Sequence, residues 1–168
     1  NPDKAIEVWR KFSARHPEDI EARRNLRDLY EQADKWTAVG DLLKDELERL
    51  EASEEDTTLD ELRVLDDLVV VYRDHLQYDT VVIQYLQAIL ERDDAHGSAF
   101  EELRGMLAAG RRWSELAELL GGQAERMAEK GDIGGAVAML AEVADLWEER
   151  LNNVAQAIPY LEQVLDFD

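Results

Sequence analysis

The sequence predicts an all-α fold, an α-solenoid of about nine helices arranged in antiparallel pairs. Three observations carry that expectation. The chain repeats itself, its apolar residues fall at helical spacing almost throughout, and its turn signals are short and regularly placed. A shift of 77 residues lays Arg15 on Arg92, Ala22 on Ala99, Leu26 on Leu103, Trp36 on Trp113, and Leu42 and Leu43 on Leu119 and Leu120. A shift of 75 lays Leu65, Leu68 and Tyr72 on Leu140, Val143 and Trp147, and Tyr85, Leu86, Ile89 and Leu90 on Tyr160, Leu161, Val164 and Leu165. Units repeated at such a period bury their apolar faces only against their neighbours, and the folds they build work by presenting a surface. The expected organisation is one solenoid segment over residues 1–168, with super-repeats at about 1–77 and 78–153 and a terminal helix at 154–168. The chain opens in mid-pattern at Asn1-Pro2 and stops at Asp168 just after a helical run, so a piece of a longer repeat protein is expected.

Leu62, Leu65, Val69, Tyr72 and Leu76 step by three and four, as do Leu103, Met106, Leu107 and Gly110, and no stretch alternates as a strand would. Helices are expected at 2–15, 18–33, 36–52, 59–76, 80–92, 97–109, 113–129, 133–150 and 154–166. Asn1 can cap the first, with Pro2 in its first turn, and Pro17 opens the second, where its missing N–H is harmless. Ser53 to Thr57 reads as a slightly longer polar loop after the third helix. Thr58 with Glu61 and Ser98 with Glu101 have capping-box spacing ahead of the fourth and sixth helices. Acidic residues at the helix starts, such as Glu18-Asp19 and Asp60-Glu61, oppose the positive end of the dipole. Gly121-Gly122 lies inside the seventh helix, where a bend or local fraying is expected. Pro159 lies inside the ninth, which is expected to kink or to begin later.

Ala5, Trp9, Phe12 and Pro17 resemble the second helix of a tetratricopeptide repeat with its closing proline, and Leu26 and Tyr30 resemble the large apolar positions of the following unit. The pattern departs from that family where Asp94 replaces the proline, where Arg27 and Arg104 replace the small residue that lets paired helices approach, and where Leu107 replaces the tyrosine. Trp36 and Trp113 lie outside the family pattern. The resemblance implies a right-handed superhelix of roughly four helix pairs plus a terminal helix, with the first helix of each pair lining a concave face. Positions flanking the core stripe on those helices, and so the implied partner-binding residues, are Arg24, Asp28, Asp66, Val70, Arg73, Glu101, Asp145 and Glu148. Only Arg24 and Asn25 approach the family's carboxylate-holding cluster, and no second basic pair follows in the next unit, which argues against that use of the groove.

Charge narrows the partner. With 39 Asp and Glu against 19 Lys and Arg, the net charge of −20 repels polyanions, and no more than two basic residues are adjacent, so nucleic acid and anionic membrane surfaces are not expected ligands. A basic or amphipathic protein or peptide fits the field. The longest wholly apolar run, Leu68 to Tyr72, is far short of the ~20 residues of a membrane span. With no cysteine there are no disulfides, thiolate metal sites or cysteine nucleophiles, and a cytoplasmic location is expected.

No residue set composes an enzyme. His16, His75 and His96 are scattered at helix ends, the serines lack a nucleophile-elbow context, and no HExxH occurs. Gly131, Gly134 and Gly135 follow a helix and read as a tight turn rather than a phosphate loop, and Glu54, Glu55 and Asp56 lack the ligand spacing of a calcium loop. A non-enzymatic interaction scaffold without metal or cofactor is therefore expected, with a structural spacer or self-assembly segment as the alternative. Trp9, Trp36, Trp113 and Trp147 are either packing residues or exposed anchors. If Trp36 and Trp113 pack fully, alanine in either place should cost about 3–5 kcal/mol. Ile6, Trp9 and Phe12 at one end, and Ala157, Ile158, Leu161, Val164 and Leu165 at the other, lack covering helices in this pattern, so end-to-end self-association, strengthened by salt, is also expected.

Overall fold

The computed structural model describes residues 2–167 and is all-α, with no strand among the described residues. Its helices are α1 (Pro2–Arg15), α2 (Ile20–Gln32), α3 (Trp36–Glu51), α4 (Thr58–Val70), α5 (Asp79–Arg92), α6 (Gly97–Ala109), α7 (Trp113–Glu129), α8 (Ile133–Asp145) and α9 (Val154–Asp166). Two of them run on as π-helical turns, α4 through Val71–Leu76 and α8 through Leu146–Arg150. The chain divides into two compact units, Asn1–Phe100 and Glu101–Asp168.

The ends of the helices explain why so regular a pattern forms. The Asp19 carboxylate caps α2 by accepting from the Ala22 N–H at 2.9 Å, so Pro17 lies in the preceding turn and does not open the helix. Thr57 rather than Thr58 stands at the start of α4, with its hydroxyl 2.7 Å from Glu61 Oε1. At α6 the acceptor for the Ala99 N–H is His96 Nδ1, 3.2 Å away, in place of the Ser98 hydroxyl. The expected Asn1 cap lies outside the described residues.

Helix exits repeat in both registers. Asp34 and Arg111, 77 residues apart, take left-handed φ values of 53° and 55°, and the residue after each donates to the carbonyl five back, Lys35 to Tyr30 and Arg112 to Leu107, both at 2.9 Å. That bond closes a helix by a Schellman turn. Gln77 and Asn152, 75 residues apart, sit at 58° and 50° behind the two π-helical turns. There the closing bonds reach six back, Tyr78 to Tyr72 at 3.0 Å and Asn153 to Trp147 at 2.7 Å. The chain thus ends these helices without glycine, although left-handed φ favours it.

In the first unit each helix from α1 to α5 packs on the next, and α3 also packs on the π-helical turn after α4. Leu26, Leu43, Leu65, Leu68, Leu86 and Ile89 form the solvent-free spine. Arg92 of α5 ties three helices together: its Nε lies 2.6 Å from Glu61 Oε2, its Nη2 meets Glu51, and its Nη1 donates to its own helix at Ala88 O. In the second unit α7 packs on α8 and α8 on α9 around Leu116, Leu120, Leu140 and Val143, with Ala136 and Ala157 fully enclosed where helices approach.

Two local expectations concern the interiors of α7 and α9. α7 runs on as continuous helix through Gly121-Gly122 and is not frayed there, because tertiary packing against α8 holds backbone that glycine alone would loosen. A Cβ at Gly121 would meet Tyr160 at 3.8 Å and one at Gly122 would meet Arg126 at 3.6 Å, both ordinary contacts. Gly121→Ala and Gly122→Ala are accordingly expected to stabilise the chain by up to about 1 kcal/mol each, read as a raised urea midpoint. α9 begins at Val154, as drawn and not later, because the Asn153 side chain caps it at the Gln156 N–H, 3.3 Å away. Pro159 therefore lies inside that helix and offers no N–H to the Ala155 carbonyl.

Candidate functional site

The eight side chains expected to meet a partner are all exposed. Arg24 and Asp28 lie one turn apart on α2, Asp66 and Val70 one turn apart on α4, and Arg73 on the π-helical turn that follows, where it pairs with Asp74 at 2.7 Å. In the second unit Glu101 lies on α6, Asp145 at the end of α8 and Glu148 on its π-helical turn.

What brings the first-unit residues together is an interaction the sequence reading missed. Arg27 Nη1 of α2 lies 2.7 Å from Asp67 Oδ2 of α4, with its Nε on Glu31 at 2.7 Å. Partial burial alone would lower the Arg27 pKa, but hydrogen bonds to Asp67 and Glu31 outweigh it and raise it above the ordinary value. The second unit has the same bridge between α6 and α8, where Arg104 Nη2 lies 2.8 Å from both oxygens of Glu142. Arg27 and Arg104 are related by the shift of 77, Asp67 and Glu142 by the shift of 75. The signal was present, but only when both registers are overlaid. These side chains are about one-third exposed. A pair so placed is worth under about 1 kcal/mol, so its effect is on the register of alternate helices more than on stability.

The tryptophans obey the same two registers. Trp36 opens α3 and stacks on His75, ring centres 3.4 Å apart at 11°, with its Nε1–H directed at Asp34 Oδ1 at 3.3 Å. Trp113 opens α7 and lies under the Arg150 guanidinium at 5.3 Å. Each covers a π-helical turn with one face and leaves part of the ring in solvent. Half-burial lowers the expected cost of Trp36→Ala or Trp113→Ala to about 1–3 kcal/mol, below the figure for an enclosed ring, which urea titration of each variant would measure. Trp9 is half-buried edge-on to Phe12, and half-buried Trp147 holds its Nε1 away from water without a hydrogen-bond partner.

Between α2 and α4 runs a cleft made of two adjoining hollows, of about 410 Å³ and about 130 Å³, that share Arg23, Arg24, Glu46 and Arg63. Of the eight expected residues only Arg24 enters it. The other contributors include Arg23, Arg49 and Arg63, which the charge balance of the whole chain conceals. Among the described residues no group of three or more His, Asp or Glu is placed to hold a metal ion. No helix of the described residues is long and apolar enough to cross a membrane.

No protein-family model and no curated protein matches the chain. Among solved structures it is similar to a putative kinesin light chain of Podosopora anserina with nearly identical TPR-like repeats, at 17% identity over 99% of this chain and 86% of that one, TM-score 0.46. BtubC (BKLC) from P. vanneervenii is similar at 11% identity, over 99% of this chain and 87% of that one, TM-score 0.43. The described residues form an all-α helical repeat, and the chain is similar in fold to these TPR-like repeats. The two arginines that stand where the tetratricopeptide pattern has a small residue, Arg27 and Arg104, are the ones that reach across to the first helix of the following pair. At these identities the likeness concerns fold alone and names no partner.

Proposed function

We propose that the chain is a non-enzymatic interaction scaffold that binds a protein or peptide segment, basic or amphipathic in character, along the first helices of its pairs. The observation that supports this most is that alternate helices are held in register by Arg27–Asp67 and Arg104–Glu142 while the flanking positions stay in solvent. Arg24, Asp28, Asp66, Val70 and Arg73 serve this role in the first unit and Glu101, Asp145 and Glu148 in the second. Residues 1–168 are then one repeat segment, with super-repeats at about 1–77 and 78–153 and the terminal helix at 154–168, working without metal or cofactor in the cytoplasm. Titration with a synthetic Lys/Leu amphipathic peptide tests the reading. Asp28→Lys with Asp66→Lys is expected to weaken binding about tenfold at low salt without moving the melting temperature, and the wild-type affinity should fall as salt rises. Unchanged binding by that variant would sink the assignment.

A second reading, self-assembly, has its own support. Val154, Ile158, Leu161 and Leu165 make an apolar stripe along α9 that is 59%, 47%, 40% and 71% exposed, and Val8 and Phe12 are exposed on α1. Sedimentation over a concentration series at low and high salt separates the two readings. End-to-end association grows with salt as charge repulsion is screened, and Leu161→Glu with Leu165→Glu abolishes it, whereas groove binding weakens with salt.

A further inference from the structure

The cleft between α2 and α4 gathers arginine in a chain that is otherwise strongly acidic. Arg23 of α2 and Arg49 of α3 both donate to one carbonyl oxygen, that of Pro17. Partial burial, then the nearby charge of Arg49, pull the Arg23 pKa below its ordinary value. Among the described residues Arg24 has no hydrogen-bond or ion-pair partner, and Arg63, which pairs with Asp60 at 3.3 Å, faces the same space from α4. Two guanidiniums sharing a single neutral oxygen repel each other, and an anion placed between them relieves that repulsion.

The repeat supplies an internal control. Features that the architecture needs recur in the second register: Arg27 as Arg104, Trp36 as Trp113 and Gln77 as Asn152. Most of the cleft's arginines do not recur. Arg23 corresponds to Phe100, Arg24 to Glu101, Arg63 to Ala138 and Pro17 to Asp94, and only Arg49 is matched, by Arg126. Helix pairing in the second unit is thus achieved without most of these arginines, so the repeat architecture alone does not call for them.

We propose that this cleft receives one phosphorylated side chain, a phosphoserine or phosphothreonine in a partner segment with basic flanks. This rests on the scaffold reading above and names the group that segment carries. Each basic residue lining the cleft is arginine and none is lysine, and a planar fork of donors suits bidentate contact with phosphate oxygens. A phosphoryl group brings about −1.5 to −2 charges, enough to bridge two guanidiniums. A single carboxylate brings about one charge and two oxygens rather than three, and so bridges two guanidiniums across a cleft already lined by Glu46, Glu55, Asp60 and Asp67 less well. The surrounding charge of −20 rejects extended polyanions and favours basic flanks.

The test titrates the whole chain with three fluorescent peptides that share Lys-containing flanks and differ at one central residue: serine, phosphoserine or glutamate. Phosphoserine is expected to bind about tenfold or more tighter than the other two. Arg23→Phe with Arg24→Glu, the residues this chain itself carries at the corresponding second-register positions, is expected to erase that preference with an unchanged melting temperature. Arg24→Gln alone, at an exposed site, should reduce it. Asp28→Lys with Asp66→Lys should weaken all three peptides while the preference survives. Equal binding of the three peptides overturns the phosphoryl assignment and leaves the scaffold reading standing. Glutamate binding as tightly as phosphoserine overturns it in favour of a carboxylate receptor. A preference that persists in Arg23→Phe/Arg24→Glu overturns the location, and failure of all three peptides to bind overturns the proposal together with its basic-flank chemistry.

Discussion

Leu43→Ala is expected to destabilise the protein by about 2–5 kcal/mol, and Leu120→Ala by a similar amount, each seen as a lowered urea midpoint. The two leucines are 77 residues apart, 1% and 0% exposed, and hold the same place on α3 and α7. Truncation removes the apolar contact and leaves a void that neighbouring helices close only in part, which is why the range is wide. In a repeat fold the damage concentrates beside the deleted side chain. Amide exchange should therefore accelerate in α2 to α4 for Leu43→Ala and in α7 and α8 for Leu120→Ala. Losses under 1 kcal/mol at either place would show that the helix is not seated as described.

Arg92→Ala is expected to cost about 1–3 kcal/mol, because it leaves the Glu61 carboxylate, whose side chain is only 14% exposed, without its ionic partner. The Thr57 hydroxyl and then Arg92 hold the Glu61 pKa below the ordinary glutamate value. A carboxylate depressed in the folded state adds stability that is complete above its unfolded pKa of about 4.3 and is lost as pH falls through the folded value. The wild type should thus lose stability as pH drops below about 5, and Arg92→Ala should lose less, since only the Thr57 contribution remains. Arg92→Ala with Glu61→Gln should recover part of the loss at neutral pH. Arg15, which the shift of 77 pairs with Arg92, is exposed on α1, and Arg15→Ala should cost under about 0.5 kcal/mol. Equal effects at the two arginines would remove the ion cluster from the account.

Among the described residues the nine helices, with the π-helical turns counted as their ends, were legible in the sequence to within about two residues, since a period near 3.6 and short polar breaks are local signals that packing here does not override. The caps were legible only as regions. Thr57 takes the capping position of α4, but its hydroxyl turns to Leu50 O and Glu61 instead of a helix N–H. The π-helical turns were not legible, because an added residue in the last turn leaves the apolar spacing of 59–76 and 133–150 looking continuous, and the residues that end them are Gln77 and Asn152 rather than glycine. Arg27 and Arg104 read only as departures from a family pattern, since their partners lie far along the chain. Arg49 and Arg63 meet Arg23 only through the fold, which no composition reveals.

The stacked tryptophan carries a consequence for how such a chain can change length. Trp36 sits at the start of α3 and the π-helical turn it covers at the end of α4; Trp113 and the turn under Arg150 are spaced alike along α7 and α8. A duplication that copied α4 and α5 alone would create a second π-helical turn with no indole to lie on it. One that copied α2 and α3 alone would leave an indole with nothing beneath. Only a block carrying both preserves the fit, so growth by tandem duplication is constrained to steps of about 75 residues, twice the helix hairpin that the eye takes as the unit.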